Sequence, residues 1–365
     1  MQTPYIEKNR WQVVIIGAGQ AGLSAGYYLK KTGINFIIFD QNEHIGDSWR
    51  NRWDSLALFT PAQHDGLPGL KFPSKRGSFP TKEEVANYFV NYVHSYSLPV
   101  QTGVKVNMLS YDNGIFTLQT TSGEQEAERV IVATGTHPYP YIPAFADNLS
   151  DKIQQIHSAH YKNLQSLPEG DVLVVGAGTS GIEIAVEIGK TRKTYISGRP
   201  NFHIPDGLFK YGGEIFWWFI NNILTIKTPV GRKARQKILH GGGPLIRISV
   251  EDIKNAGVEL VPRVKGVNNG FPELEDGRIL NVSTIIWSTG YKPDFSWITM
   301  NLTEDNRWPM TKRGVSVDND RLSFVGMPFQ FGLTSGLLGG VGRDAKYVSK
   351  LLLKNMNGSV KNLSV

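Results

Sequence analysis

Gly17, Gly19 and Gly22 stand in G-x-G-x-x-G spacing, and the spacing returns at Gly176, Gly178 and Gly181. The first glycine turns the chain, the second lets a pyrophosphate approach the backbone, and the third lets a helix pack on a strand. N–H groups at the helix start, from Ala18, Gln20 and Ala21 in the first loop and Thr179 and Ser180 in the second, then face the phosphates. Asp40, with Gln41 beside it, ends the following strand, where a carboxylate accepts hydrogen bonds from a ribose diol. The second loop has no such acid; its strand ends in Ser197-Gly198-Arg199. A hydroxyl and a guanidinium there suit a 2′-phosphate, which points to NADPH, with NADH the alternative. The plainer reading of Arg199 is a residue capping a loop.

Each glycine loop needs a strand before it and a helix after it. Residues 12–16 (QVVII) are a short β-branched apolar run ending at Gly17, a buried parallel strand. Residues 21–30 read as a helix and 34–39 as a second strand. The same order follows at 171–175, 176–190 and 194–197. Strands are also expected at 115–119, 129–133, 284–287 and 322–326, with a closing helix over 339–353. The proline-rich stretch 136–143 (THPYPYIP) reads as a crossing between domains. The expected fold class is α/β, with two Rossmann-like dinucleotide-binding domains in a three-layer, glutathione-reductase-like arrangement. The second domain, 165–280, is inserted into the first, 1–164 and 281–365.

The chain has 365 residues, enough for two or three domains, with 40% hydrophobic and 19% charged residues. No apolar run approaches the roughly 18 residues of a membrane span. No secretion signal is read at the start, so the cytoplasm is the default expectation. With zero cysteines, a disulfide framework, a thiolate metal site and a catalytic thiol are excluded. That removes the dithiol flavoenzymes, which share a two-dinucleotide layout. The eight histidines show no ligand-like spacing, so no metal is expected. The net charge of +7 comes with one dense group, Lys227, Arg232, Lys233, Arg235 and Lys237, and no nucleic-acid motif, so a solvated surface is preferred. Residues 214–226 (EIFWWFINNILTI) are the most apolar stretch outside the strands. They read as a helix packed over a substrate entrance or a subunit interface, with an amphipathic membrane contact as the third reading.

Several ordered stretches resemble the bacterial flavin-containing monooxygenases. Gly46-Asp47-Ser48-Trp49-Arg50 resembles the family's G-G-x-W segment beside the isoalloxazine, and Phe59-Thr60-Pro61 and Phe79-Pro80-Thr81-Lys82 follow. Ala133-Thr134-Gly135 resembles the flavoprotein A-T-G strand end. His157-Ser158-Ala159-His160-Tyr161 resembles the tail of the family fingerprint, and Thr289-Gly290-Tyr291 its T-G-Y turn. The resemblance covers nearly the whole chain and implies FAD on the first loop and NADPH on the second. Cofactor contacts are implied at Ser48, Trp49, Arg50, Thr60, Val106, Ala133, Thr134, Gly135, Gly290 and Gly326. Two departures stand out: the fingerprint's opening Phe-x-Gly is replaced by Asp151 and Ile153, and a supportive asparagine by Pro61. The catalytic role of that asparagine then passes to Gln63 or His64, or these two are loop residues packing by the flavin. His157 is expected to be structural.

By this resemblance the chain is an enzyme that inserts one oxygen of O2 into a small lipophilic sulfide, amine or ketone, by sulfoxidation or Baeyer–Villiger chemistry, through a C4a-(hydro)peroxyflavin. Its partners are that substrate and O2, with a homodimer allowed through 214–226. An NAD(P)H oxidase or reductase with the same sites is the alternative, and a flavin-bearing accessory protein the least favoured.

Overall fold

The structure is a computed structural model that describes residues 10–136, 139–204, 206–241, 244–305 and 308–361. Strand β1 (Arg10–Ile16) carries the run VVII, whose residues are all buried. Such a strand is stable only with both faces covered, which a parallel sheet flanked by helices provides. Helix α1 (Gln20–Lys30) follows and leads to β2 (Phe36–Phe39), parallel to β1 in the register Val14↔Ile37. The short α2 (Asp47–Arg50) precedes α3 (Lys82–Tyr96), which opens with a reciprocal cap: the Thr81 hydroxyl accepts from Glu84 N–H, and the Glu84 carboxylate from Thr81 N–H. Then come β3 (Val100–Gln101), β4 (Val106–Asp112), β5 (Ile115–Thr120) and β6 (Gly123–Val132).

These strands form a nine-stranded sheet ordered Thr311–Lys312, Val315–Ser316, Leu322–Phe324, β6, β1, β2, β3, with β5 and β4 extending antiparallel from β6. A second sheet has five parallel strands, ordered Glu259–Val261, Thr194–Ser197, Val172–Val175, Thr284–Trp287, Gln154–His157. Against it pack α4 (Thr179–Gly189) and α7 (Val250–Asn255). Between them in the chain, α5 (Asp206–Asn222) and α6 (Pro229–Gly241) form an excursion whose α5 reaches the first unit, with Trp217 on His64 and Asn221 bonded to Arg343. The closing α8 (Leu338–Lys361) returns to the first sheet, and α8 and α1 bury Val341, Ala345 and Val348 together with Leu23 and Ala25.

The second unit is wider than the 165–280 expected. Strands Gln154–His157 and Thr284–Trp287 both belong to its sheet, in the register Trp287↔His157. The first of these, QQIH, is an edge strand with two exposed glutamines and carries little apolar signal. The crossing at 136–143 forms a short strand, Tyr139–Pro140, paired antiparallel with Tyr291–Lys292; His137 and Pro138 lie outside the described residues.

Candidate cofactor and active site

The two glycine loops are built alike. Gly17 N–H donates to Phe39 O at 2.7 Å, and Gly176 N–H to Ser197 O at 2.8 Å. Ala133 N–H donates to Ile16 O at 2.8 Å, and Ser288 N–H to Val175 O at 2.7 Å. A Cβ on Gly22 would lie 1.8 Å from the Gly17 oxygen, and one on Gly181 would lie 1.8 Å from the Gly176 oxygen. Gly17 and Gly176 also hold φ of +105° and +111°, a region that favours glycine. The middle glycines differ in kind. A Cβ on Gly19 or Gly178 would meet nothing within 4 Å, and neither helix start is capped by a side chain. Each loop is therefore a cradle closed by backbone and open at its centre, with uncapped N–H groups facing the space. The residues present fit a dinucleotide pyrophosphate at each cradle.

The strand ends that cross the cradles are placed with them. A Cβ on Gly17 would come within 3.3 Å of Thr134 Cα, and one on Gly176 within 2.3 Å of Ser288 O. Thr134 and Gly135 are exposed beside the first cradle. Gly326 closes the other side of it: a Cβ there would lie 2.9 Å from the Ala21 Cβ. The Gln20 carboxamide donates to Gly336 O at 3.2 Å. At the second cradle the Gly290 carbonyl lies 3.0 Å from His157 Nε2, while Ala159 N–H donates to His157 Nδ1 at 3.1 Å. The ring accepts at Nδ1, so it donates from Nε2, and burial lowers its pKa. His157 is a neutral pin between turn and linker, the structural role expected for it.

Asp40 accepts from Ala18 N–H at 2.6 Å and from Asn42 N–H at 2.9 Å, so its carboxylate stands at the edge of the first cradle. Val104 N–H and Gly103 N–H bond the backbone of Asp40 and Asn42, whereas Val106 pairs with Thr120 and packs on the sheet core. Val104, rather than Val106, is thus the neighbour of Asp40. Trp49 packs against the cores of both units, while Ser48 and Gln41 are exposed. Arg50 is engaged by Asp47 at 3.1 Å, Ile45 O at 2.8 Å and Asn87 at 3.3 Å, which commits its guanidinium to the α2–α3 contact. Ser197 is a correction. Its hydroxyl is buried, donating to Pro262 O at 2.9 Å and accepting from Val264 N–H at 3.0 Å, so it joins two strand ends and has no face toward a ribose. Arg199 is exposed past that strand end; Thr179 and Ser180 are half-buried at the start of α4.

The loop expected to hold catalytic groups presents Thr60, Gln63, His64 and, unforeseen, Asp65. Gln63 is exposed and its carbonyl accepts from Gly77 N–H at 2.8 Å, which ties it to the neighbouring loop. His64 stacks on Trp217 of α5, ring centroids 4.7 Å apart at 30°. Its Nε2 is buried without a partner, and burial lowers its pKa. Asp65 is wholly buried: Thr60 Oγ1 donates to Oδ1, and Oδ2 has no partner. Burial pushes its carboxyl up to about 7. The loop sits on the start of α8, since a Cβ on Gly339 would lie 1.7 Å from His64 O. A second unforeseen pair is Arg247 and Glu183 of α4, bonded at 2.6 Å, with Arg247 at φ +70° and its guanidinium 6.0 Å from the Phe79 ring. Neither Asp65 nor Arg247 lies in a recognisable motif; an acid in a loop of a single sequence reads as solvated.

The family model for the pyridine nucleotide-disulphide oxidoreductases matches residues 14–198, the span that holds both cradles. The chain belongs to that oxidoreductase family. Within it, the chain falls in the flavin-monooxygenase branch. It is 39% identical to an uncharacterized oxidoreductase CzcO-like of Geobacillus kaustophilus (strain HTA426) over 94% of this chain and 98% of that one. It is 27% identical to the probable indole-3-pyruvate monooxygenase YUCCA9 of Arabidopsis thaliana, over 78% of this chain and 76% of that one. Among solved structures, a flavin-containing monooxygenase from Stenotrophomonas maltophilia superposes with a TM-score of 0.78 at 26% identity, covering 95% of this chain and 99% of that chain. The oxidoreductase is an α/β protein with two dinucleotide-binding units, and among its described residues no helix is long and apolar enough to cross a membrane.

Proposed function

We propose that this oxidoreductase is an NADPH-dependent flavin monooxygenase, with FAD on the first cradle and NADPH on the second, acting on a small lipophilic sulfide, amine or ketone. One observation carries the reading: two cradles open at Gly19 and Gly178 stand in a chain with no cysteine. Two electrons taken from a nicotinamide cannot leave through a dithiol, so dioxygen is the acceptor at hand. Bound flavin, reduced by the nicotinamide, supplies the activation of dioxygen.

The chain's own part is binding, positioning and exclusion of water. The N–H groups at the start of α1 and α4 hold the pyrophosphates, and Asp40 holds a ribose. Trp217 shields His64 by stacking on it, and a neutral imidazole there adds no proton that would discharge an oxidant early. Asp65, next in the loop, keeps its proton up to near neutrality.

Incubation with NADPH, 18O2 and an alkyl aryl sulfide or a cyclic ketone tests the reading. Heavy oxygen in the product, tracking NADPH use, is the expected result. Peroxide matching NADPH with every substrate overturns it and leaves an NAD(P)H oxidase.

Arg199 is the remaining candidate for the 2′-phosphate, now that Ser197 is turned inward. A charge-assisted hydrogen bond contributes roughly 1.5–3 kcal/mol, so Arg199→Ala is expected to weaken NADPH about ten- to hundredfold. NADH, with a free 2′-hydroxyl, should change far less. Anaerobic flavin reduction at graded NADPH and NADH reads the difference; an equal slowing with both shows a structural residue.

A further inference from the structure

On α5, Ile215, Trp218, Phe219 and Asn222 recur at the spacing of one helical stripe. Ile215 is 77% exposed, Trp218 59% and Phe219 40%, while Trp217 and Ile220 on the opposite side are buried. The next helix, α6, begins with exposed Val230 and carries Arg232, Lys233, Arg235 and Lys237 with no acidic residue. Lys227 precedes it. Arg76 pairs with Glu214 of α5 at 2.5 Å, which brings the exposed Lys75 and Arg76 alongside the same helix and neutralises the acid there. The apolar stripe of α5 is thus followed in the chain by a helix whose charges are all basic, and Glu214, beside Ile215, is paired with Arg76.

We propose that the α5–α6 face docks on a bilayer containing anionic lipids, lying in the interface plane. Large apolar side chains with a tryptophan suit the boundary between headgroups and chains, and lysines beside them suit an anionic surface. None of the described helices can span a membrane, which leaves the interfacial mode. Charge also decides against a second copy of the chain on this face. A two-fold contact would set the basic α6 of one copy near that of the other, and like charges there oppose association. A soluble acidic partner would satisfy the lysines but leaves Ile215 and Trp218 without a reason.

Co-sedimentation of the full-length, flavin-loaded protein with two kinds of vesicle tests this. One is phosphatidylcholine alone, and the other is phosphatidylcholine mixed with phosphatidylglycerol. Binding is expected only to the phosphatidylglycerol vesicles, and it should fall steeply as salt rises from about 0.1 M to about 0.5 M, where the screening length shrinks. Lys233→Ser with Lys237→Ser is expected to weaken binding about tenfold or more. Trp218→Ser should weaken it by a similar factor with an unchanged thermal midpoint, because the side chain is exposed. Absence of binding, equal binding to both vesicles, or variants that bind as well as the parent would overturn the proposal. So would a dimer in light scattering that Trp218→Ser dissolves while vesicles bind nothing.

Discussion

Gly22→Ala is expected to give an unstable protein, and Gly19→Asp a stable one that does not hold flavin. The two positions share a motif but face different things. A methyl on Gly22 would lie 1.8 Å from the Gly17 oxygen, and Gly17 cannot retreat because it is bonded to Phe39 and crossed by Ala133. Overpacking against fixed backbone costs more than the usual 1–3 kcal/mol of an overfilled core, so a loss of at least about 3 kcal/mol is expected. Gly19 sits at φ −76° and ψ −173°, extended backbone open to any residue, with nothing within 4 Å of its Cβ position. As a helix cap, aspartate there matches or exceeds glycine by a few tenths of a kcal/mol. Its carboxylate, however, occupies the space of an anionic pyrophosphate. Like charges in one site cost several kcal/mol, so flavin binding should weaken by at least about a hundredfold. Thermal unfolding and the flavin-to-protein absorbance ratio of the two purified variants separate the effects. Yellow, stable Gly19→Asp protein would refute the assignment of the first cradle. Gly181→Ala and Gly178→Asp should repeat the pattern for the nicotinamide.

The second large effect is on stability against pH. The Asp65 carboxyl is pushed from 3.8 up to about 7 by burial, against the smaller opposing pull of the Thr60 hydroxyl. Between those two values the unfolded chain has released a proton that the native protein still holds. The native state then binds more protons, so stability falls as pH rises from about 4 to about 7 and stays low above. A shift of about three units corresponds to about 4 kcal/mol, a ceiling that relaxation of the loop reduces. Asp65→Asn keeps an acceptor for Thr60 and cannot ionise. It should be more stable than the parent by about 2–4 kcal/mol at pH 8 and show no gain at pH 4. Denaturant titrations at the two pH values read this directly, and parallel pH profiles for variant and parent would show that Asp65 is not the group responsible.

What was legible beforehand follows from how local each constraint is. A glycine loop is readable because strand, turn and helix lie within a few residues of one another and each glycine answers to a contact in that span. The helices after Gly19 and Gly178 and the strands at 172–175 and 194–197 accordingly fall within a few residues of where they were expected. Strand Gln154–His157 escaped because an edge strand can face water, and its glutamines carry no apolar period. With it the second unit's lower boundary moved. Ser197 misled because its residue type suits a phosphate equally with a neighbouring strand; only the approach of Pro262 and Val264 decides which. Asp65 was invisible for a related reason. The loop that holds it packs against Gly339 and is bonded through Leu67 N–H to the Tyr88 hydroxyl, both outside the local stretch, and no residue near it announces that it lacks water. On α5, alternation within one helix was readable as apolar, but which tryptophan faces inward was set by His64.

The pairing of Tyr139–Pro140 with Tyr291–Lys292 has a consequence for how the gene can be cut. The chain leaves the first unit and comes back to it one strand spacing away, about 4.8 Å. To the first sheet, whose strands all come from 10–132 and 311–324, everything between the two connectors is topologically a single long hairpin loop. Such a loop can be exchanged for any module whose own ends lie side by side, because neither connector would need to be rerouted. The inserted segment is therefore a cassette in topology: a hybrid spliced at the two connectors keeps every strand of the first sheet, and what it must rebuild is the contact of α5 with the first unit, Trp217 on His64 and Asn221 with Arg343.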